Sequence, residues 1–370
     1  MEFADIGVML IAGGQSSRMG QDKRFLTLGG CSMLEGLMRK TSQQPFAERY
    51  LCGGMVHDDL QALGQKYGME LLADERRNAG PLEGLRAGLS RLQADYALAV
   101  SGDMPLFDYA VLQPLLEAAQ GELSIIPVVK GRRQPLAGLY HRDILPRVEE
   151  ALEQGDYKLG KVIDSVPHRF VELPDDDAFF NVNTPADCRL VEGRLANQKR
   201  AVPLVTISAP VSNTGKTTFI ERLIPKLRQA GLRVGVVKGD CHGYNVDEKG
   251  KDSWRFKEAG AEAVAVVSPE GYFIQQKTAQ RADLAAIAGR LENVDAVIIE
   301  SRNHGVLPKI SLWRGLGDVM VDEETVALFS SGEPEALPIR QYELDDLDGA
   351  AELILFLCRR QNLEGNGSFR

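Results

Sequence analysis

A short apolar run at residues 6–11 is followed at once by a glycine-rich turn, and the chain reads IAGGQSSRMGQDK over residues 11–23. The run has the length of a buried strand, so Gly13 and Gly14 fall where the backbone must turn sharply. Glycine there lets backbone N–H groups approach phosphate oxygens, because no Cβ stands in the way. The turn therefore predicts a site for a nucleotide triphosphate at the end of a buried strand.

Two cations in the same turn strengthen this prediction. Arg18 offers a planar fork of donors and Lys23 a compact positive charge, which together suit the neutralisation of a polyphosphate. An ordinary glycine loop leaving a strand would explain the two glycines alone, but not the whole string. Arg18 and Lys23 are therefore candidate catalytic residues.

Composition limits the classes of protein that fit. A chain of 370 residues, 44% of them hydrophobic, is long enough for two domains with separate cores. A net charge of −9 argues against a broad nucleic-acid surface. No apolar stretch approaches the ~20 residues that span a bilayer. The five cysteines form no C-x-x-C pair, which favours reduced thiols. We expect a cytoplasmic protein without nucleic-acid or membrane partners.

The order of apolar runs and helical patterns predicts two α/β domains. Upstream, runs at residues 96–100 and 123–129 alternate with helical patterns at 81–92 and 109–119, as in βαβ units with a mainly parallel sheet. Downstream, the pattern repeats at residues 202–207, 232–237, 263–267 and 294–299, and residues 344–357 form an amphipathic packing helix. The predicted limits are a first domain at 1–195, a linker at 196–202, a second domain at 203–360 and a polar tail at 361–370.

Polar residues follow two further strands of the first domain. Asp74 ends a predicted strand and is placed to hold a base or a ribose, while Gly80 and the following proline open a helix. Asp103 follows the run at 96–100 almost at once and is a candidate ligand of Mg²⁺, although such a residue is often only a helix cap. Because open α/β sheets bind ligands at the carboxyl ends of their strands, we expect these groups to share one site.

A third segment reads NVNTPAD over residues 181–187. Thr184 is expected to cap a helix that begins at Pro185, since threonine at the cap and proline at the first position are favoured there. Capping does not explain Asn181 and Asn183. These two asparagines are candidate contacts to the substrate or to metal-bound water.

Taken together, the strings IAGGQSSRMGQDK, GPLEG, GDMP and NVNTPAD closely resemble the molybdenum cofactor guanylyltransferase, or MobA, family over about residues 5–195. The resemblance implies a Rossmann-like nucleotidyltransferase fold. It also implies transfer of GMP from Mg²⁺-bound GTP to the terminal phosphate of molybdenum-bound molybdopterin, with release of pyrophosphate.

The resemblance assigns roles to single residues of the first domain. Ile11, Ala12 and Gly13 would meet the nucleotide, and Lys23 would meet its phosphates. Asp74 would contact the guanosine, and Asp103 would contact both GTP and Mg²⁺. A family asparagine near the base aligns with Cys52 here. The alternatives are a cytidylyltransferase or a sugar-phosphate nucleotidyltransferase that uses the same loop.

The apolar run at residues 202–207 leads into NTGKT at residues 213–217, which is the closing half of a P-loop and is followed by a helical pattern. Backbone N–H groups of such a loop surround a β-phosphate, Lys216 reaches the outer phosphates and the hydroxyl of Thr217 binds Mg²⁺. Pro210 stands where the first glycine of the motif is usual. Glu300 follows a buried strand like a Walker B carboxylate, unless it is only a surface glutamate. The candidate GTP-binding residues are Asn213, Thr214, Gly215, Lys216, Thr217, Thr218 and Glu300.

This half resembles the MobB family over about residues 202–315, on Gly215, Lys216, Thr217, Asp247 and the GKDS run at 250–253. The resemblance implies a GTP-binding partner of MobA with weak hydrolysis, usually dimeric. The chain as a whole is therefore predicted to be a MobA and MobB fusion whose substrates are GTP and molybdopterin. Expected partners are molybdopterin-delivering and molybdoenzyme-maturation proteins, and a second copy of the chain through the second domain. A GTP-dependent carrier or insertion chaperone without transfer activity is the alternative of a different class.

Overall fold

The computed structural model describes residues 1–12, 25–53, 58–76, 78–174, 177–211, 214–239, 247–302, 306–332 and 334–360. Contacts divide this chain into a first unit, Met1–Leu195, and a second unit that begins at Ala196. Residues 196–198, where the predicted linker starts, belong to a helix, and the domain limits drawn from the sequence stay a prediction. Five predicted site residues lie outside the described residues, namely Gly13, Gly14, Arg18, Lys23 and Asn213.

The first unit is built on a mixed sheet in the order β10-β7-β9-β6-β1-β4-β5, with β8 paired to β7. Neighbouring strands are parallel with two exceptions. β9 runs antiparallel between β6 and β7, and β8 runs antiparallel to β7. A separate small hairpin joins β2 and β3. The strands are β1 Gly7–Ile11, β2 Thr27–Leu28, β3 Cys31–Ser32, β4 Glu48–Cys52, β5 Glu70–Leu72, β6 Tyr96–Ser101, β7 Ser124–Val129, β8 Arg132–Arg133, β9 Leu139–His141 and β10 His168–Leu173.

Helices cover both faces of this sheet. They are α1 Met33–Ser42, α2 Asp58–Tyr67, α3 Pro81–Leu89, α4 Gln113–Ala118, α5 Leu145–Glu153, α6 Leu159–Asp164 and α7 Pro185–Gln198. Side chains of a strand alternate between faces, so in β1 Val8 and Leu10 pack with residues of α1, whereas Met9 and Ile11 pack with residues of α3. The predicted α/β fold with a mainly parallel sheet is confirmed for this unit.

Glycines allow α3 to lie close to the sheet. A methyl group on Gly84 would come within 3.2 Å of Cγ2 of Ile11, and one on Gly88 within 2.3 Å of Sδ of Met9. Residues four apart share one face of a helix, so this face of α3 carries no side chains where it meets β1. The close approach brings the start of α3 to the same edge of the sheet as the end of β1.

The second unit contains a parallel sheet in the order β12-β15-β11-β16-β17-β18. Its strands are β11 Leu204–Ser208, β12 Val234–Lys238, β13 Ala263–Ser268, β14 Gly271–Gln276, β15 Ala296–Glu300, β16 Lys309–Trp313, β17 Thr325–Ser330 and β18 Arg340–Glu343. Its helices are α8 Lys216–Gln229, α9 Asp252–Glu258, α10 Leu284–Ala288 and α11 Leu347–Cys358. The packing helix predicted at residues 344–357 is confirmed, since α11 packs on α8 and β11.

One apolar run does not join the parallel sheet. Residues 263–268 form β13, which pairs antiparallel with β14 in a separate hairpin. The next segment, GYFIQQ, also favours a strand and follows after a short turn, so β13 finds a local partner instead of crossing over through a helix. In the part of the chain that the structure describes, no helix combines the length and the apolar character needed to cross a bilayer.

Candidate functional site

The first candidate site lies where β6, β1 and β4 end side by side. Ile11, the last residue of β1, pairs with Cys52 of β4 and with Ser101 of β6. The N–H of Ala12 donates to the carbonyl of Cys52 at 2.7 Å, and the N–H of Gly102 donates to the carbonyl of Ile11 at 2.9 Å. The start of the glycine turn is thus held between the loops that follow its two neighbouring strands, at the edge where open α/β sheets bind ligands.

Asp103 stands two residues beyond β6 and is half-buried. Its Oδ1 accepts a hydrogen bond of 2.6 Å from Oγ of Ser101, which fixes the direction of the carboxylate. A methyl group on Gly102 would come within 3.3 Å of the carbonyl oxygen of Ile11, so the missing side chain lets this loop pass close to β1. The carboxylate therefore lies beside the end of β1.

The donor set around Asp103 fits Mg²⁺. Among the described residues, no three His, Cys, Asp or Glu side chains are grouped closely enough to enclose a metal ion. Mg²⁺ needs no such cage, because it usually keeps several waters and is shared between one or two carboxylates and substrate phosphates. The single carboxylate of Asp103 is consistent with that mode of binding.

The loop of Asn181 is tied directly to the loop of Asp103. The N–H of Val182 donates to the carbonyl of Asp103 at 2.9 Å. The side chain of Asn181 donates to the carbonyl of Phe179 at 3.2 Å and lines a cavity of about 300 Å³. That cavity is also lined by Pro81, Ser101, Met104, Gln134, Pro135, Leu136, Tyr157 and Leu159.

Asn183 has a different place from Asn181. Its side chain is exposed and does not line the cavity, and its N–H donates to Oδ2 of Asp187 at 3.0 Å. Oδ2 of Asp187 also accepts the N–H of Thr184, while Oγ1 of Thr184 accepts the N–H of Asp187 at 3.2 Å. This reciprocal capping starts α7 at Pro185. The predicted helix cap at Thr184 is confirmed, and Asn181 rather than Asn183 reaches the cavity.

Asp74 and Gly80 flank the loop between β5 and α3. Asp74 is half-buried two residues after β5, and Gly80 precedes α3 with a φ of 66°, a left-handed value that favours glycine. Asp74 lies near enough to Cys52 that its negative charge, after burial itself, raises the pKa of the Cys52 thiol. Asp74 therefore sits next to the end of β4, where the sequence predicts a guanosine contact.

Cys52 cannot supply the base contact suggested at its position. Its side chain is wholly buried in the core cluster between the sheet and α3. A methyl group on Gly88 would lie 3.1 Å from its Sγ, so the thiol points toward the helix. Its backbone carbonyl, not its thiol, belongs to the site, because it accepts the N–H of Ala12.

Lys40 supports the loop of Asp103 and was not singled out from the sequence. Its Nζ donates to the carbonyls of Pro105 at 3.1 Å and Phe107 at 2.9 Å, just beyond Asp103. Burial lowers the pKa of Lys40 to about 8, against the opposing charge of Asp108. In the sequence, Lys40 follows Arg39 near the end of a helix, where such a pair is typical of a solvated surface.

Lys40 gives a testable dependence of stability on pH. From pH 8 up to its ordinary pKa of 10.5, the unfolded chain holds more protons at this side chain than the folded chain, so stability rises with pH. We expect the free energy of unfolding of the wild type, relative to Lys40→Met, to increase from pH 8 to pH 10, by up to about 1.4 kcal/mol per pH unit. Urea denaturation followed by circular dichroism measures it.

Lys66→Met is the matched control for Lys40→Met. Lys66 is exposed, and its hydrogen bond to Glu35 raises its pKa above the ordinary value, the opposite direction from Lys40. The free energy of unfolding of the wild type relative to Lys66→Met should therefore not increase with pH. Equal pH dependence in the two variants would contradict the buried titration of Lys40.

The second candidate site lies between β11 and α8. Gly215 precedes the helix with a φ of 90°, and Oγ1 of Thr214 donates to the carbonyl of Val211 at 2.7 Å. Lys216 and Thr217 are the first two residues of α8. The predicted order of strand, loop and helix is confirmed, and a helix start in this place offers its backbone N–H donors to an anion. Thr218, also in the first turn, is exposed.

Glu300 is buried at the end of β15, next to β11. Its Oε1 accepts a hydrogen bond of 3.0 Å from Oγ1 of Thr217 and lies 3.9 Å from Nζ of Lys238. A hydroxyl and a carboxylate side by side are oxygen ligands of the kind that Mg²⁺ prefers, so this pair fits the ion. The interpretation of Glu300 as a mere surface glutamate is wrong.

Cations crowd around this loop. Burial lowers the pKa of Lys216, and the charges of Arg302 and Lys238 lower it further against the effect of Glu300. Nε of Arg302 donates to the carbonyl of Pro210 at 3.1 Å, at the start of the loop where the usual glycine is replaced. Such an excess of positive charge favours a polyanionic ligand.

Arg314 lies against the second site, and Asp247 contacts the GKDS run. A methyl group on Gly215 would come within 3.0 Å of Nη2 of Arg314, which follows β16 and was missed in the sequence because nothing local marks it. Oγ of Ser253, the last residue of the GKDS run, donates to Oδ1 of Asp247 at 2.8 Å. The two MobB-like elements of the sequence are thus in contact.

The fold and the two sites define a nucleotidyltransferase-like α/β unit followed by a P-loop unit. The family model described as "MobA-like NTP transferase domain" matches residues 8–170. The model described as "Molybdopterin guanine dinucleotide synthesis protein B" (MobB) matches residues 204–330. The chain therefore belongs to the MobA-like NTP transferase family in its first half and to the MobB family in its second.

Two sequence relatives match the two halves separately, and a solved structure is also similar to the first half. The "Molybdopterin-guanine dinucleotide biosynthesis adapter protein" of Escherichia coli (strain K12) is 31% identical over 44% of this chain and 98% of its own length. The "Molybdenum cofactor guanylyltransferase" of Vibrio vulnificus (strain YJ016) is 30% identical over 48% of this chain and 91% of its own. The crystal structure of molybdopterin-guanine dinucleotide biosynthesis protein A from Archaeoglobus fulgidus is 24% identical, covers 50% of this chain and 97% of its own, and has a TM-score of 0.43.

Proposed function

We propose that this chain is a molybdenum cofactor guanylyltransferase fused to its GTP-binding MobB adapter. The first unit transfers GMP from GTP to the terminal phosphate of molybdenum-bound molybdopterin and releases pyrophosphate. The observation that carries this proposal is the position of Asp103. Its carboxylate lies beside the end of β1, and its backbone is bonded to the loop whose Asn181 lines the cavity.

The reaction is an in-line displacement at the α-phosphorus of GTP. A bond forms between an oxygen of the pterin phosphate and this phosphorus, while the bond to the bridging oxygen of the leaving pyrophosphate breaks. Because the attacking oxygen is already anionic, no histidine base is required. Catalysis then depends mainly on positioning and on charge neutralisation.

Each group of the first site has a role in that scheme. Ile11 and Ala12, with Gly13 and Gly14 of the turn, cradle the triphosphate, and Arg18 and Lys23 neutralise it. Asp74 and Gly80 hold the guanosine side. Asp103 would hold Mg²⁺, which neutralises the negative charge of the triphosphate and of the departing pyrophosphate.

The cavity beside Asp103 is the proposed place of the pterin. Its lining combines apolar and aromatic surface, from Leu136 and Tyr157, with the amides of Gln134 and Asn181. A flat heteroaromatic ring with donors and acceptors on its edge suits such a lining. Asn183 lies outside the cavity, so it is proposed to contact a part of molybdopterin other than its ring.

The second unit binds GTP in its P-loop. Lys216 reaches the outer phosphates, and Thr217 and Glu300 would hold a second Mg²⁺, directly or through water. Fusion keeps the adapter at a high effective concentration near the transferase, provided that the connecting segment allows it. The proposal also includes partner proteins that deliver molybdopterin or receive the product. It places the protein in the cytoplasm, since buried thiols such as Cys358 suit a reducing compartment.

Product analysis with three nucleotides tests the proposed function. Incubation of the chain with molybdenum-loaded molybdopterin, Mg²⁺ and either GTP, CTP or ATP should yield the dinucleotide product and pyrophosphate with GTP. Faster turnover of CTP would overturn the guanine assignment in favour of a cytidylyltransferase. GTP binding without any product would favour a cofactor carrier.

We further propose that two copies of the chain associate through the hairpin of β13 and β14. Three of its apolar side chains are largely exposed, Val267 at 78%, Tyr272 at 65% and Ile274 at 62%. Contiguous exposed apolar surface of this kind marks interaction sites.

Tyr272→Lys should shift the mass measured by light scattering from dimer to monomer. Leu316→Lys, an equally exposed apolar residue outside the hairpin, should leave the mass unchanged. A monomeric wild type would contradict the proposal.

A further inference from the structure

Glu83 is a carboxylate with no access to solvent. It lies in the first turn of α3, within the GPLEG string, and is 0% exposed. Burial of a charged carboxylate is destabilising unless ion pairs and hydrogen bonds offset it, although the start of a helix reduces that cost. An apolar residue would fill the same place without this penalty. The contacts of Glu83 therefore indicate which part of the structure its charge holds in place.

Glu83 is paired within its own helix to Arg86, which is also buried. Nε of Arg86 donates to Oε1 of Glu83 at 2.9 Å, and Nη2 lies 2.8 Å from the same oxygen. If these were its main contacts, the pair would only stabilise α3. Two further contacts lead out of the helix.

Both outward contacts reach the segment that directly follows Asp74. The backbone N–H of Glu75 donates to Oε1 of Glu83 at 3.2 Å, and Nη1 of Arg76 lies 3.5 Å from Oε2. Nη2 of Arg86 also pairs with the carboxylate of Glu75 at 3.1 Å. The loop after β5 is therefore held by a buried ion-pair network anchored on α3.

We infer that Glu83 is a positioning residue that fixes the loop of Asp74 and thereby sets the affinity of the first unit for GTP. The inference rests on the proposed function, in which Asp74 contacts the guanosine. Asp74 directly precedes Glu75, whose N–H is anchored, so the carboxylate of Asp74 has little freedom to move. A misplacement of 1 Å is enough to weaken a contact strongly. The reacting phosphates lie instead with Asp103, in another loop.

The division between the two loops predicts a specific kinetic pattern. Glu83→Gln keeps the shape of the side chain but removes its charge, which loosens the contacts to Arg76, Arg86 and the N–H of Glu75. We expect the KM for GTP to rise about 10-fold, while kcat and the KM for molybdopterin change by less than about 2-fold. Steady-state kinetics of GMP transfer by the full chain measures these parameters.

Glu48→Gln is the matched control. Glu48, at the start of β4, also holds a loop, since it accepts the N–H groups of Gln93 at 2.9 Å and Ala94 at 2.7 Å and the hydroxyl of Tyr50. It lies at the opposite end of the strands from the site. The same substitution there should leave the KM for GTP unchanged. A rise equal to that of Glu83→Gln would overturn the inference, because loosening any loop would then have the same effect.

A double variant covers the case in which Glu83→Gln does not fold. Glu83→Met with Arg86→Met replaces the buried pair by apolar side chains of similar size, a kind of exchange that often preserves stability. It leaves the N–H of Glu75 without its carboxylate acceptor, so the KM for GTP should again rise. An unchanged KM in a folded variant overturns the role of Glu83. The wild type is assayed in parallel. Absence of GMP transfer by the wild type would contradict the proposed function itself, whereas an unchanged KM in a folded variant contradicts only the role of Glu83.

Discussion

Replacement of Asp103 by alanine is expected to lower the rate of GMP transfer by about 100- to 1,000-fold, the loss typical when a group that stabilises transition-state charge is removed. Asp103 is the carboxylate that the fold brings beside the end of β1 and the cavity, where it is half-buried and oriented by Ser101. Without it, the proposed Mg²⁺ loses its protein ligand in the first unit. Pyrophosphate release from GTP in the presence of molybdopterin measures the effect.

Asp95→Ala is the control for Asp103→Ala. Asp95 directly precedes β6 at the opposite end of the strand from Asp103, and it is exposed and paired with Arg142. Loss of an exposed ion pair changes stability by less than about 1 kcal/mol, so transfer should be unaffected. Both variants should show the circular dichroism and melting behaviour of the wild type. Transfer that persists in a folded Asp103→Ala protein would show that the metal assignment is wrong.

Much of the first site was predictable because its signals are local. The apolar run before the glycine turn forms β1, and the positions of Asp103 just beyond β6 and of Thr184 before α7 follow from strand length and helix capping. Parallel strands then bring these loop ends to one edge without further information. The same reasoning found Lys216, Thr217 and the strand that ends in Glu300 in the second unit.

The supporting groups were not predictable, since their partners are remote in sequence. Lys40 contacts carbonyls 65 and 67 residues away, and Arg314 lies far along the chain from Gly215. Cys52 shows the same limit in another way. It falls on the same face of β4 as Tyr50, so strand alternation sends its side chain into the core between sheet and helix. Its alignment with a base-contacting position could not reveal that burial.

Lys216→Ala should weaken GTP binding by the second unit about 100-fold or more. The P-loop lysine makes charge-assisted hydrogen bonds to phosphate, each worth about 1.5–3 kcal/mol, and every 1.4 kcal/mol is a factor of ten in affinity. Burial already lowers the pKa of Lys216, so the wild-type chain holds this charge there at a cost that a bound anion would repay. Equilibrium dialysis with GTP and Mg²⁺, without the pterin acceptor so that no transfer occurs, measures binding.

The same variant tests whether the two nucleotide sites act separately. In dialysis, the wild type should bind GTP in each unit, Lys216→Ala only in the first, and Lys226→Ala, a lysine of the same helix paired with Asp348, in both. GMP transfer should stay within about 2-fold of the wild type in both variants, because the groups proposed to act on GTP in the first unit remain in place. If transfer falls in step with binding in Lys216→Ala but not in Lys226→Ala, the P-loop governs the transferase. The adapter then acts as a coupled regulatory site and not as an independent binding module.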